Sequence, residues 1–166
     1  LNINNIRPKK SLGQNFITDK NFLEKINSLI PSDHQTTIIE IGPGHGALTK
    51  YLAKKKFKSL FLIEKDLELS KRLYEIYKNN KKVNVLQKDA LKFDYNFFNL
   101  ERKVILVGNL PFNISTQLLF KWLETESWPP FYDKLILMFQ KEVAERIISK
   151  PNCKKYGKIS VMAQSR

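Results

Sequence analysis

From Thr37 onward, short runs that are apolar or β-branched alternate with longer segments whose apolar residues recur at helical spacing. The short runs are residues 37–41, 59–63, 83–86, 103–107 and 134–139. Runs without polar alternation suit strands covered on both faces, and their interleaving with helical segments marks βαβ units joined into a mostly parallel sheet. Between them, Leu69, Leu73, Ile76 and Tyr77 share one helical face. So do Leu118, Leu119, Trp122 and Leu123, and later Val143, Ala144, Ile147 and Ile148. These stripes are expected in the core. Ser115 is positioned to cap the second of these helices and Pro151 to end the third. Ahead of the first strand, Phe22, Leu23, Ile26, Leu29 and Ile30 predict one more amphipathic helix, with Thr18 or Asp19 as its cap. In the tail, Ile159-Ser160-Val161 alternates like a strand, while Val161-Met162-Ala163-Gln164 suits a helix; the helix is the preferred reading. Pro129-Pro130 marks a loop.

The chain has 166 residues, 42% of them hydrophobic and 27% charged, which supplies one globular core and not two. It begins at Leu1 and ends at Arg166 without a terminating signal, so a fragment of a longer protein is expected. Lysine and arginine number 29 against 16 acids, a net charge of +13 that suits a phosphate-bearing partner. The lysines cluster at 9–10, 54–56, 81–82 and 154–155, without a basic amphipathic helix of the membrane-surface kind. The alternative is compositional bias: abundant Lys and Asn are what an AT-rich genome would give, and that adds lysines to any solvated face. The lone Cys153 forms no internal disulfide, and neither a leader nor a membrane-length apolar run is present, so a reducing, cytoplasmic setting is expected with no membrane partner. His34 and His45 lie near no cysteine pair, which predicts no metal site.

Candidate chemistry sits where the strands end. Glu40-Ile41-Gly42-Pro43-Gly44-His45-Gly46 joins the first strand to a helix, and glycines there let backbone approach a ligand closely. Glu64 ends the second strand 22 residues after Gly42, where a carboxylate can accept from both hydroxyls of a ribose. The glycine spacing G-x-G-x-G differs from the dinucleotide pattern and favours a ligand without a pyrophosphate, such as S-adenosylmethionine. After the third strand, Asp89 can accept from an adenine amino group while the Ala90 N–H reaches a ring nitrogen; a plain turn cap is the alternative role for Asp89. Gly108-Asn109-Leu110-Pro111-Phe112-Asn113-Ile114-Ser115 follows the fourth strand. The Asn109 side-chain oxygen and the Leu110 carbonyl, stiffened by Pro111, can accept from an exocyclic amine, and Phe112 offers a stacking face. Such a site needs only to aim and polarise the amine, with no histidine, cysteine or general base. Its target base must be unstacked to enter.

With these motifs in hand, the chain resembles the small-subunit ribosomal RNA adenine N6-dimethyltransferases, the KsgA-type enzymes. The likeness extends to Lys10-Ser11-Leu12-Gly13-Gln14-Asn15-Phe16, Gln140-Lys141-Glu142-Val143 and Tyr156-Gly157-Lys158-Ile159-Ser160-Val161-Met162-Ala163-Gln164. The resemblance implies an α/β Rossmann-like class I S-adenosylmethionine methyltransferase domain over residues 1–166. Its sheet would have helices on both faces and lack the final strands and the C-terminal helical domain. It implies S-adenosyl-L-methionine as cofactor, held by Asn15, Ile17, Gly42, Gly44, Glu64, Asp89, Ala90 and Asn109. Asn109, Leu110, Pro111 and Phe112 would carry catalysis. The implied partner is small-subunit ribosomal RNA in the pre-30S particle, dimethylated at two adjacent adenines of its 3′ hairpin loop during ribosome biogenesis by a monomer without metal. Phe112 replaces the usual tyrosine of N-L-P-Y, as it does in mitochondrial members, which keeps the ring face. Three other readings are disfavoured. The macrolide-resistance methyltransferases typically read N-I-P-Y, the DNA adenine methyltransferases use a double proline, and a non-catalytic binder has no need of Gly42, Glu64 and Asn109 together.

Overall fold

A computed structural model of the chain describes residues 19–98, 103–110, 113–124 and 129–165. Strands β1 (Thr36–Ile41), β2 (Ser59–Glu64), β3 (Val83–Gln87), β4 (Lys103–Asn109) and β5 (Lys134–Met138) form one sheet in the order β3-β2-β1-β4-β5. Every pair is parallel, so the five carboxyl ends share one edge. The chain builds outward from β1 through β2 to β3, then crosses back to lay β4 on the other side of β1. That reversal makes a switch point between β1 and β4, where a crevice opens beyond the strand ends. The five runs read from the sequence are these strands, with β5 ending one residue early at Met138.

Alternate residues of each central strand feed opposite faces. Ile38, Leu60, Leu62, Ile105 and Val107 pack with helices α1 (Lys20–Ser28), α2 (Thr49–Leu52) and α3 (Leu67–Tyr77). On the other face, Ile39, Ile41, Ile63, Val104 and Leu106 pack with a 3-10 turn (Tyr95–Phe98) and with Leu118 and Trp122 of α4 (Ser115–Leu123). Two further helices, α5 (Lys141–Ile147) and α6 (Lys158–Gln164), close over β5 around Leu119, Leu123 and Ile159. The tail is therefore helical, as preferred from its sequence. This arrangement is the expected Rossmann-like α/β sheet covered on both faces.

Several local expectations need correction. Asp19 does cap α1, its Oδ1 accepting from Phe22 N–H at 3.2 Å. Ser115 is not the cap of α4, because Ile114 holds the cap position without a side-chain hydrogen bond and Ser115 already lies inside the first turn, buried. Pro151 does not end α5, which stops at Ile147 with Ile148 as its last cap. The stripes are also narrower than drawn: Phe22, Leu29, Ile76 and Ile148 are exposed, Ile148 to 74%. Leu29 and Ile148 are the cap residues that follow their helices, and Phe22 and Ile76 lie within theirs on the solvent side.

Candidate active site

At the end of β1 the chain turns through Gly42, Gly44 and Gly46, with φ of 64°, 58° and 78°. A side chain is strained in this left-handed region, so the three glycines are what permit the path. Gly42 N–H donates to the Ile63 carbonyl at 2.9 Å, which extends the β1–β2 pairing by one residue beyond the strand. Gly46 N–H closes back on the Pro43 carbonyl at 2.9 Å. A Cβ on Gly46 would stand 3.1 Å from Leu73 Cδ2, so the loop also rests tightly on α3.

Glu64, the last residue of β2, ties this loop to the next one. Its Oε2 accepts from Gly44 N–H at 3.0 Å and its Oε1 from Asp66 N–H at 2.9 Å. The side chain is only 6% exposed. Burial pushes its carboxyl above the ordinary value, and the backbone N–H groups of Asp66, Gly44 and Lys65 oppose that rise. The carboxylate has roughly four acceptor sites in all, so these three donors leave one open to a ligand's hydroxyl. Asp66 then starts α3, its Oδ1 accepting from Glu68 and Leu69 N–H.

Asp89 lies two residues beyond β3. Its Oδ1 accepts from Leu91 N–H at 3.0 Å, closing a local turn, and its Oδ2 pairs with Lys65 at 3.0 Å. Burial alone would raise this carboxyl; Lys65 and Leu91 outweigh it and hold the group below the usual carboxylate range. Ala90 is buried, and its carbonyl accepts from the Tyr95 hydroxyl at 3.1 Å. The alternative turn-cap role for Asp89 is thus the one its contacts display. Lys88 N–H donates to the Glu64 carbonyl at 3.0 Å, so the ends of β2 and β3 are stitched together.

Asn109 ends β4 at the same edge. Gly108 is in register with Ile41, which sets Asn109 beside Gly42 across adjacent strands at the switch point. The spacing leaves no room for a side chain at 108, because a Cβ there would lie 2.8 Å from the Ile41 carbonyl oxygen. Leu110 is buried in the core face carried by α4. Its side chain anchors the loop, which leaves the carbonyl as its chemical contribution. Of the residues singled out in the sequence, Gly42, Gly44, Glu64, Asp89, Ala90, Asn109 and Leu110 gather along this edge. Asn15, Ile17, Pro111 and Phe112 lie outside the described residues.

Sequence reasoning placed Glu40 at the head of the loop motif but gave it no role. It sits in β1, 3% exposed, and its Oε2 accepts from the Thr49 hydroxyl at 2.7 Å beneath the glycine loop. Burial lifts its carboxyl to about 8, opposed by the Thr49 hydrogen bond and reinforced by the charge of Glu64. The available signal was a lone acid in a strand otherwise covered on both faces. Asp66 and Lys65 were missed; an aspartate immediately before a helical stripe is a recognisable cap. Among the described residues, no group of three or more potential metal ligands converges, and no helix is long and apolar enough to cross a membrane.

Comparison with known proteins follows the same lines. The sequence pattern of the family described as Ribosomal RNA adenine dimethylase matches residues 5–166. The protein called Ribosomal RNA small subunit methyltransferase A in Pelagibacter ubique is 43% identical over 158 residues, 95% of this chain and 59% of its own length. Its namesake in Wolbachia pipientis wMel is 44% identical over 160 residues, 96% of this chain and 54% of its own. This chain thus spans somewhat more than half the length of these curated relatives. Among solved structures, a dimethyladenosine transferase from Plasmodium falciparum superposes with a TM-score of 0.74 at 26% identity, covering 90% of this chain and 52% of that one. The 23S rRNA methyltransferase ErmE shares the fold at a TM-score of 0.66 and 23% identity, over 80% of this chain and 50% of its own.

Proposed function

This chain belongs to the ribosomal RNA adenine dimethylase family, and from that membership we propose that it is the catalytic domain of a small-subunit ribosomal RNA (adenine-N6,N6)-dimethyltransferase. The reaction carries methyl groups from S-adenosyl-L-methionine to the N6 amines of two adjacent adenines in the 3′-terminal hairpin loop of 16S RNA, as a step of ribosome biogenesis in the cytoplasm. The enzyme works as a monomer on the pre-30S particle, without a metal. The observation that carries the reading is the common carboxyl edge of Gly42, Glu64, Asp89 and Asn109 astride the switch point between β1 and β4.

The residues present fit the cofactor. Three left-handed glycines let the loop backbone approach a ligand closely, and Glu64 borders them with an acceptor site left for a ribose hydroxyl. Asp89 stays ionised and acidic at the rim, suited to an amino group, with Asn15, Ile17, Gly44 and Ala90 completing the proposed binding set. When bound, S-adenosylmethionine supplies a methyl group already activated by a sulfonium charge. The protein's share is positioning and polarisation. Asn109 and the Leu110 carbonyl accept hydrogen bonds from the adenine amine, aim its lone pair and stabilise the positive charge that builds on nitrogen. Holding the two reactants in line is worth roughly 7–11 kcal/mol. Pro111 stiffens that loop, and Phe112 stacks on the unstacked base, worth about 1–3 kcal/mol.

The test is mass spectrometry of small-subunit RNA from cells lacking the gene. Loss of dimethyladenosine from the 3′ hairpin is expected; unchanged modification there overturns the substrate assignment.

A further inference from the structure

The rim opposite the carboxyl edge, where β2 and β3 begin, gathers positive charge. The loop entering β2 carries Lys54, Lys55, Lys56 and Lys58, and the one entering β3 carries Lys78, Lys81 and Lys82. These loops touch: Leu60 N–H donates to the Lys82 carbonyl at 2.8 Å, and Lys82 Nζ reaches the Phe57 carbonyl at 3.4 Å. Some of the charge is committed elsewhere. Lys78 pairs with Glu75 at 2.5 Å, and Lys55 is held by the Ile30 carbonyl at 2.7 Å. Lys54, Lys56 and Lys81 are exposed.

Beside this rim a groove runs between the last turn of α3 and the outer edge of β3. Its lining includes Tyr74, Tyr77, Asn80, Lys81 and Asn84. Tyr74 is 56% exposed. Exposed rings, side-chain amides and lysines are the groups that hold an RNA backbone and its unstacked bases. A protein strand adding to β3 is the poorer fit, because Lys81, Lys82 and Lys88 flank that edge and like charges guard an edge against strand addition. Residues 71–82 carry four lysines and one arginine against the single acid Glu75, so the complement is a polyanion.

We propose that this rim and groove form a second RNA-contact surface, which grips the phosphate backbone of structured RNA flanking the target adenines. It rests on the RNA-methylating reading above. Strands of this length separate the two rims by about 20 Å, so the contact belongs to neighbouring RNA and not to the adenine being modified.

The experiment measures affinity of the 166-residue chain for unmodified small-subunit RNA across a salt series. Three variants are compared: Lys56→Gln with Lys81→Gln, Tyr74→Ala, and a charge-matched control on α1, Lys20→Gln with Lys25→Gln. Neutralising the rim pair should weaken binding roughly tenfold and flatten the log–log salt slope by about one to two units. Tyr74→Ala should weaken it several-fold at an unchanged slope, and the control should behave as the parent does. S-adenosylmethionine affinity should stay constant throughout, which reports that all variants are folded. If the parent chain does not bind this RNA, the RNA reading itself falls and the surface falls with it. If the parent binds and the rim variants match it, or the control loses as much, only the second surface is overturned.

Discussion

At the scale of single residues, Glu64 joins a proposed ligand role to a structural one. Its two oxygens hold Gly44 and Asp66 N–H, so Glu64→Ala leaves two buried donors unsatisfied, at about 1–3 kcal/mol each. We expect calorimetric titration to show S-adenosylmethionine affinity falling at least roughly tenfold, with Glu64→Gln intermediate because one acceptor oxygen survives. Affinity within error of the parent for Glu64→Ala would remove it from the proposed site. Glu40 governs a different observable. Its carboxyl is raised to about 8 chiefly by burial, so the folded state keeps a proton that the unfolded chain releases near the ordinary value of 4.5. The stability this proton confers is complete below that ordinary value and fades as pH climbs through about 8. Glu40→Gln keeps an acceptor for Thr49 and removes the titration. Its melting temperature should therefore fall less than the parent's between about pH 6 and pH 9. Parallel declines would contradict the buried, protonated assignment. Glu64 was legible in the sequence because its spacing from Gly42 has a chemical meaning. Glu40 was not, because its partner Thr49 is brought to it only by the turn of the glycine loop.

Among elements, the contact between β1 and β4 sets the geometry of the crevice. Gly108→Ala would drive a methyl against the Ile41 carbonyl oxygen at 2.8 Å, and backbone on both sides must move to relieve it. A loss of about 1–3 kcal/mol is expected, several degrees in thermal melting followed by circular dichroism. Gly157→Ala is the contrast: its φ of −167° is ordinary extended backbone and nothing lies within 4 Å of the added Cβ, so its melting should change little. Equal effects at the two glycines would refute the close-approach account. The central strands β1, β2 and β4 were readable because burial on both faces leaves a nearly continuous apolar run, and the half-buried edge strands β3 and β5 from their short β-branched and apolar runs. The helix margins were not, since spacing alone ranks Ile76 with Leu73 and Ile148 with Ile147, and only the packed structure separates buried Leu73 from exposed Ile76 and ends the helix before Ile148. Ser115 misled for a related reason: a serine marks a cap only when the helix begins after it, and here the helix begins on it.

For the whole molecule, parallel pairing and the reversal of strand order at β1 bring segments far apart in sequence to one edge, while the lysine-rich loops fall at the other. The motifs announced that edge, because Glu64 and Asn109 end strands, Gly42 and Asp89 closely follow them, and a parallel sheet aligns strand ends. The basic rim was visible only as scattered lysine clusters until the hydrogen bonds between their loops joined two of them. The proposed reaction requires methyl donor and adenine amine to meet at the junction of the Gly42 and Asn109 loops. Its most direct test is methyl transfer from labelled S-adenosylmethionine to unmodified small-subunit RNA, with the product nucleosides resolved by mass spectrometry. The parent chain should yield label in N6,N6-dimethyladenosine from the 3′ hairpin, and Asn109→Ala should lower the rate at least a hundredfold, the loss of a few kcal/mol of transition-state stabilisation. Saturating cofactor binding with no label on adenine N6, or an Asn109→Ala variant as fast as the parent, would contradict it.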